Sequence, residues 1–223
     1  MTTVDISNNT SLEYLTCNTN LLTNLDVSKN FALKYLACDF NQLTGLDVSN
    51  NTLLEGLSCN TNFLTSLTVT NNTFLNVLQC ESNKLNSLDV SNNTSLEYLN
   101  CNTNLLSSLN ITKNTLLVVL HCGSNTLTTL DVSYNHALTD LRCDYNQLTT
   151  LNISNNAALN WFECGSNQLS ILDISNNSKL YYLNITNMAT LNKVCVWTIP
   201  FPPQLLNIHS FGSPDVYFTT DCN

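Results

Sequence analysis

Eight of the ten cysteines in this 223-residue chain recur every 21 residues, at Cys17, Cys38, Cys59, Cys80, Cys101, Cys122, Cys143 and Cys164. A thiol can bridge to another thiol, ligate a metal or act as a nucleophile. No C-x-x-C pair of the kind that clasps zinc occurs. Cysteines one repeat apart on parallel strands point the same way, which is poor disulfide geometry. The eight therefore read as buried packing groups, small substitutes for leucine. No metal and no cofactor is expected. Cys195 and Cys222 fall off the period and bracket a segment of different composition. They are predicted to pair as a disulfide, which would place the chain in an oxidising compartment.

The other side chains able to do chemistry sit at positions that change from unit to unit. Three residues before the cysteine come Tyr14, Tyr35, Trp161 and Tyr182, the last before Ile185, which stands in the cysteine's place. Immediately before the cysteine come His121, Arg142 and Glu163; just after Cys143 come Asp144 and Tyr145. Exposed Trp, Tyr and Arg dominate binding energies at interfaces. Arg142, Trp161 and Tyr182 are the expected hot spot, with a second aromatic group at Tyr14, Tyr35 and Phe40. Catalysis is not expected. His121 and Glu163 lie two units apart, about 10 Å at parallel-strand spacing, with Arg142 between them, and no hydroxyl nucleophile stands out.

The elements that place these residues follow from the repeat. The first full unit reads Leu12-x-x-Leu15-x-Cys17-x-x-Asn20-x-Leu22-x-x-Leu25-x-Val27-x-x-Asn30. Leu15 and Cys17 alternate with Tyr14, Thr16 and Asn18, the period of a half-buried strand. Leu25 and Val27 alternate with Asp26 and Ser28, a second short extended segment on the opposite wall. A 21-residue unit is too short for a strand plus a three-turn helix, so little or no α-helix is expected. One coil cannot bury its own leucines; stability arises between neighbouring coils. Asparagine columns beginning at Asn20 and Asn30 sit where the chain turns, and their amides are expected to satisfy backbone groups the turns leave unpaired.

This pattern is the leucine-rich repeat L-x-x-L-x-L-x-x-N-x-L with cysteine at the third apolar position. The chain resembles the cysteine-ladder internalins, which are bacterial surface adhesins. It also resembles secreted or surface proteins of the Bacteroidetes with D-V-S-x-N repeats. That resemblance implies a right-handed solenoid with a concave parallel sheet and a short terminal cap. It also implies a secreted or cell-surface bacterial location.

Two regions are expected. Residues 1–190 form the solenoid: a partial first coil, eight full coils from Leu12 and a degraded coil from Leu180. Residues 191–223 form a small C-terminal β cap, with strands around Val194–Trp197 and Asp215–Thr220 and a Pro-rich loop between. The opening part-way through a unit reads as a segment cut from a longer protein.

A net charge of −9 with only seven Lys and Arg excludes nucleic-acid binding and disfavours anionic membranes. No apolar run is long enough for membrane insertion. The expected role is a non-catalytic, monomeric recognition or adhesion module that binds a protein or glycan through its concave face. One alternative is a structural spacer within a larger adhesin. Another is ice binding through the Ser/Thr columns of the opposite wall, although the aspartates beside them interrupt a hydroxyl lattice. Those aspartates mostly alternate with neutral residues, so no calcium is needed between coils.

Overall fold

Each unit contributes one three-residue strand whose central side chain points into the core. The computed structural model describes residues 1–203, 205–213 and 216–222; Asp215, at the head of the expected last strand, lies outside them. The strands are β1 Tyr14–Thr16, β2 Tyr35–Ala37, β3 Gly56–Ser58, β4 Val77–Gln79, β5 Tyr98–Asn100, β6 Val119–His121, β7 Asp140–Arg142 and β8 Trp161–Glu163. They pair in parallel, each with its successor and in the same register, so Leu15, Leu36, Leu57 and their equivalents form one row. Strands β10 (Tyr182–Asn184) and β12 (Asn207–His209) extend the sheet to ten. The described residues contain no helix.

Beyond each strand the chain enters a left-handed residue. Thr19, Phe40, Thr61, Ser82, Thr103, Ser124, Tyr145, Ser166 and Asn187 all have φ between 51° and 57°. Such a conformation costs about 1–2 kcal/mol outside glycine. It persists here because the sheet ladder continues through it: Thr19 N–H donates to Asp39 O at 2.8 Å, and Tyr145 N–H to Gly165 O at 2.9 Å. The reversal swings the next residue into the interior, a ladder asparagine after the first eight and Met188 after Asn187. Asn104 Nδ2 donates to the carbonyls of Cys80, Cys101 and Asn102, while its Oδ1 accepts the N–H of Leu85 at 3.0 Å.

The second asparagine column differs. Asn93 Nδ2 donates to Val69 O and Asn72 O. Its Oδ1 has no partner, and neither do those of Asn30, Asn51, Asn72, Asn114, Asn135, Asn156 and Asn177. All eight side chains are fully buried. Around them the return closes as two consecutive turns, Asn93 N–H to Val90 O and Leu96 N–H to Asn93 O.

The opposite wall, expected to be extended, forms only one isolated bridge, Asp47 to Thr68, before β9 (Ile171–Asp173). Asp26 Oδ1 accepts the N–H of Ser28 at 2.9 Å, and Asp47, Asp89, Asp131 and Asp173 make the same Asx turn. The turn occurs at the bridged Asp47 and at the end of β9 as well as in the unbridged coils.

The ladder thiols are buried, from Cys17 at 5% exposed to Cys164 at 0%. Burial pushes Cys101 up to about 12. They pack with the leucine rows in one continuous core.

The C-terminal segment adds strands to both walls. Strand β11 (Lys193–Cys195) pairs in parallel with β9 and with β13 (Tyr217–Thr219). The last turn repeats the frame with other residues. Three positions beyond the paired Asn184 and His209 come Asn187 and Gly212, both left-handed. Next in line, Ser213 occupies the ladder position. Its Oγ donates to Ile185 O at 2.7 Å and accepts Met188 N–H at 2.9 Å.

Candidate recognition face

The outward residues of β7, β8 and β10 form one connected cluster. Arg142 points back along its own strand and makes a bidentate pair with Asp140: Nε to Oδ1 at 3.1 Å and Nη2 to Oδ2 at 3.0 Å. Its guanidinium lies 5.0 Å from the Trp161 ring centre. On the other side of Trp161 lies Tyr182, stacked at 3.8 Å between ring centres and 11° between planes. Tyr181 meets the indole edge-on at 5.7 Å. Trp161 Nε1–H donates to Glu163 Oε1 at 2.7 Å.

The expected hot-spot residues are thus in mutual contact, and both faces of Trp161 are covered. What remains for a partner is the indole edge, the Tyr182 ring and the exposed part of the guanidinium. Sugar stacking needs an open ring face, which Trp161 lacks.

His121 does not approach Glu163. Its Nε2 stands 3.2 Å from Asp140 Oδ2, outside good hydrogen-bond alignment, and its ring meets Tyr98 edge-on. Asp140 is therefore the hub that links His121 to Arg142. Burial pushes the Asp140 carboxyl up, but the adjacent His121 ring and the two hydrogen bonds from Arg142 outweigh burial and leave it below its ordinary value. Asp144 goes the other way: burial first, then the neighbouring Glu163 charge, raise it. Its carboxylate leans over Gly123, where a Cβ would come within 2.7 Å of Oδ1. Tyr145 lies on the left-handed column at the edge of the face and is 58% exposed.

At the other end, Tyr14 and Tyr35 stack at 5.1 Å with planes 9° apart. Phe40, also on the left-handed column, is exposed. The positions following the cysteines do partly structural work. Asn18, Asp39, Asn60 and Asn102 each use Oδ1 to accept the N–H of the corresponding residue one coil on, at 2.6–2.8 Å.

Cys195 and Cys222 carry free thiols, one buried and one exposed. Their Sγ atoms and a carboxylate oxygen of Asp173 all lie within 4.8 Å of one another. Burial, then the Cys222 thiol, pushes Cys195 up to about 11.

Asp140, Tyr98 and Tyr181 are contributors that sequence reasoning passed over. Asp140 and Tyr98 belong to the same varying column as Trp161, so their positions were visible but their contacts were not.

Comparison with solved structures matches this geometry to the functional domain of InlJ from Listeria monocytogenes, which includes a cysteine ladder. The TM-score is 0.92 and the identity 40%, over 96% of this chain and 47% of that one. The chain is a leucine-rich-repeat solenoid of the cysteine-ladder type. This solenoid spans about half the length of the InlJ domain it matches. It is also similar to a leucine-rich-repeat protein of Leptospira interrogans, at TM-score 0.75 and 26% identity over 81% of this chain and 50% of that one. The Yersinia pestis leucine-rich effector YopM matches at TM-score 0.72 and 25% identity, over 93% of this chain and 60% of that one. A family model described as the LVIVD repeat matches residues 164–186 of the solenoid, about one coil. Comparison with curated proteins finds no match. No helix among the described residues is long and apolar enough to cross a membrane.

Proposed function

We propose that the cysteine-ladder solenoid is a secreted or cell-surface bacterial recognition module that binds a protein partner through its strand face, centred on Arg142, Trp161 and Tyr182. The similarity to InlJ supports an adhesion or recognition role. The observation that carries the choice of a protein over a glycan is the covering of both Trp161 faces, by Arg142 and by Tyr182. A pre-formed Arg–Trp–Tyr cluster suits the edge contacts and polar exchange of a protein interface. Its mutual packing also limits the side-chain ordering that binding must impose.

The test is a binding array of host extracellular proteins and glycans probed with the solenoid and with the double variant Trp161→Ala, Arg142→Ala. A protein signal lost in the double variant is the expected result. Signals that survive the double variant sink the assignment of the centre. A silent array with a rigid, elongated particle in solution favours a spacer. The Asp and Ser columns of the opposite wall are engaged in Asx turns, which accounts for their regularity without ice.

A further inference from the structure

A second feature of the strand face lies four coils from the Arg142 cluster. Where β2, β3 and β4 carry Ala37, Gly56, Ser58 and Val77, the face is hollowed into a groove of about 230 Å³. The Tyr35 ring walls one side. It lies over Gly56, where a Cβ would come within 2.6 Å of Tyr35 Cδ1, and Tyr14 covers its other face. The groove therefore offers a ring edge and aliphatic surface, with no open aromatic face for a sugar. It is smaller than the roughly 300–1,000 Å³ of small-molecule pockets, and suits one inserted side chain.

Acceptors stand among the polar atoms around it. Asp39 is 9% exposed, and its Oδ1 takes the Ser58 hydroxyl at 2.6 Å and the Asn60 N–H at 2.7 Å. Gln79 Oε1 also accepts from Ser58 Oγ and from Asn60 Nδ2, each at 3.2 Å. Glu55, just before β3 on the opposite flank, accepts the Tyr35 hydroxyl on Oε2 at 2.8 Å, whereas Glu81, after β4, turns away to accept from Asn100 Nδ2 at 2.8 Å. Two carboxylates, Asp39 and Glu55, thus each accept a hydrogen bond from a residue that lines the groove, at opposite ends of it. The neighbouring Lys34 is already held by Glu13 at 2.8 Å.

We infer that this groove receives an arginine or lysine side chain of a protein partner. The aliphatic stem packs against Tyr35, Ala37 and Val77, and the cationic head reaches the carboxylate at one end, Asp39 or Glu55. The inference rests on the reading of the strand face as a recognition surface but names a site independent of Arg142 and Trp161. Long cationic side chains favour such a site, since the stem buries on apolar surface while the head keeps polar partners.

The test uses a fluorescent tri-arginine peptide, with the tri-citrulline peptide and a neutral glycan panel as controls. Ala37→Leu fills the groove. The pair Asp39→Asn, Glu55→Gln removes charge while keeping the frame, because Asn18, Asn60 and Asn102 already occupy the Asp39 column and a glutamine oxygen still accepts the Tyr35 hydroxyl. Tri-arginine should bind at least ten-fold more tightly than tri-citrulline. Its binding should fall at least ten-fold in both variants and persist in Trp161→Ala, Arg142→Ala. If Ala37→Leu melts early, the charge pair decides alone. No tri-arginine binding, equal citrulline binding, or loss only in the Trp161/Arg142 variant overturns the groove assignment, and the last of these leaves the proposed function standing. Glycan binding blocked by Ala37→Leu but indifferent to the charge pair also overturns it.

Discussion

The Trp161 indole lies flat on the ring of Tyr182, one strand on, with 3.8 Å between ring centres. The two residues are paired across β8 and β10, so the stack follows from register, and it leaves the indole only its edge for a partner.

Replacing Tyr182 by alanine should uncover one indole face. The loss of stacking costs about 0.5–1.5 kcal/mol beyond the area exposed. In a Trp197→Phe background, the emission of Trp161 should shift to the red and become more accessible to iodide. An unchanged spectrum would mean that the two rings do not stack in solution.

The two asparagine ladders should differ in what their removal costs. Asn104→Ala leaves the Leu85 N–H unpaired in the core, at about 1–3 kcal/mol, while the three carbonyls it served keep other donors. Asn93→Ala removes donors to two carbonyls but also an acceptor that has no partner. Denaturant melts should rank Asn104→Ala as the more damaging change; the reverse order would contradict the hydrogen bonding described.

The aspartates of the Asx turns make stability depend on acid. Asp26, Asp47, Asp89 and Asp131 are held below their ordinary carboxyl value by hydrogen bonding from the serine two residues on, and Asp5 likewise. A carboxyl lowered on folding stabilises the fold above its unfolded value, and that contribution is lost as pH falls through its folded value. Asp144, raised by burial, has the opposite sign and gains as pH falls. With Asp140 also lowered, six against one predicts a falling Tm below about pH 4. Asp89→Asn should flatten part of that fall without opening its turn, because Asn110 and Asn152 close the same turn with Thr112 and Ser154. An unchanged acid profile in Asp89→Asn would remove the turn aspartates as its source.

We also propose the Cys195–Cys222 disulfide on the proximity of the two thiols. Under oxidising conditions a non-reducing digest should yield the crosslinked peptide. The bridge should stabilise the last coils by about 3 kcal/mol through loop closure. Under reduction, brief alkylation of the native protein should mark the exposed Cys222 and spare the ladder, whose thiols burial holds protonated. Labelling of the ladder cysteines at a rate matching Cys222 would contradict their burial.

The repeat alone was enough to read the parallel sheet, the buried cysteine row and both asparagine columns. The reason is translational: each coil stacks on a copy of itself, so a residue that recurs every 21 positions must meet the same environment in every coil. The left-handed column escaped notice because Thr, Phe, Ser and Tyr fill it where glycine would have announced it. Ser213 escaped because the last coil keeps the frame but not the spacing. The outward contacts were decided only by the tertiary structure. Period places Arg142, Asp140, Trp161 and Tyr182 on one face, but says nothing of which way a side chain leans. Arg142 pairs bidentately with Asp140 and more loosely with Glu163 at 3.7 Å, a choice the period does not contain. Burial repeats with the coil and is therefore written in the period, whereas pairing on the surface depends on rotamers chosen among unlike neighbours.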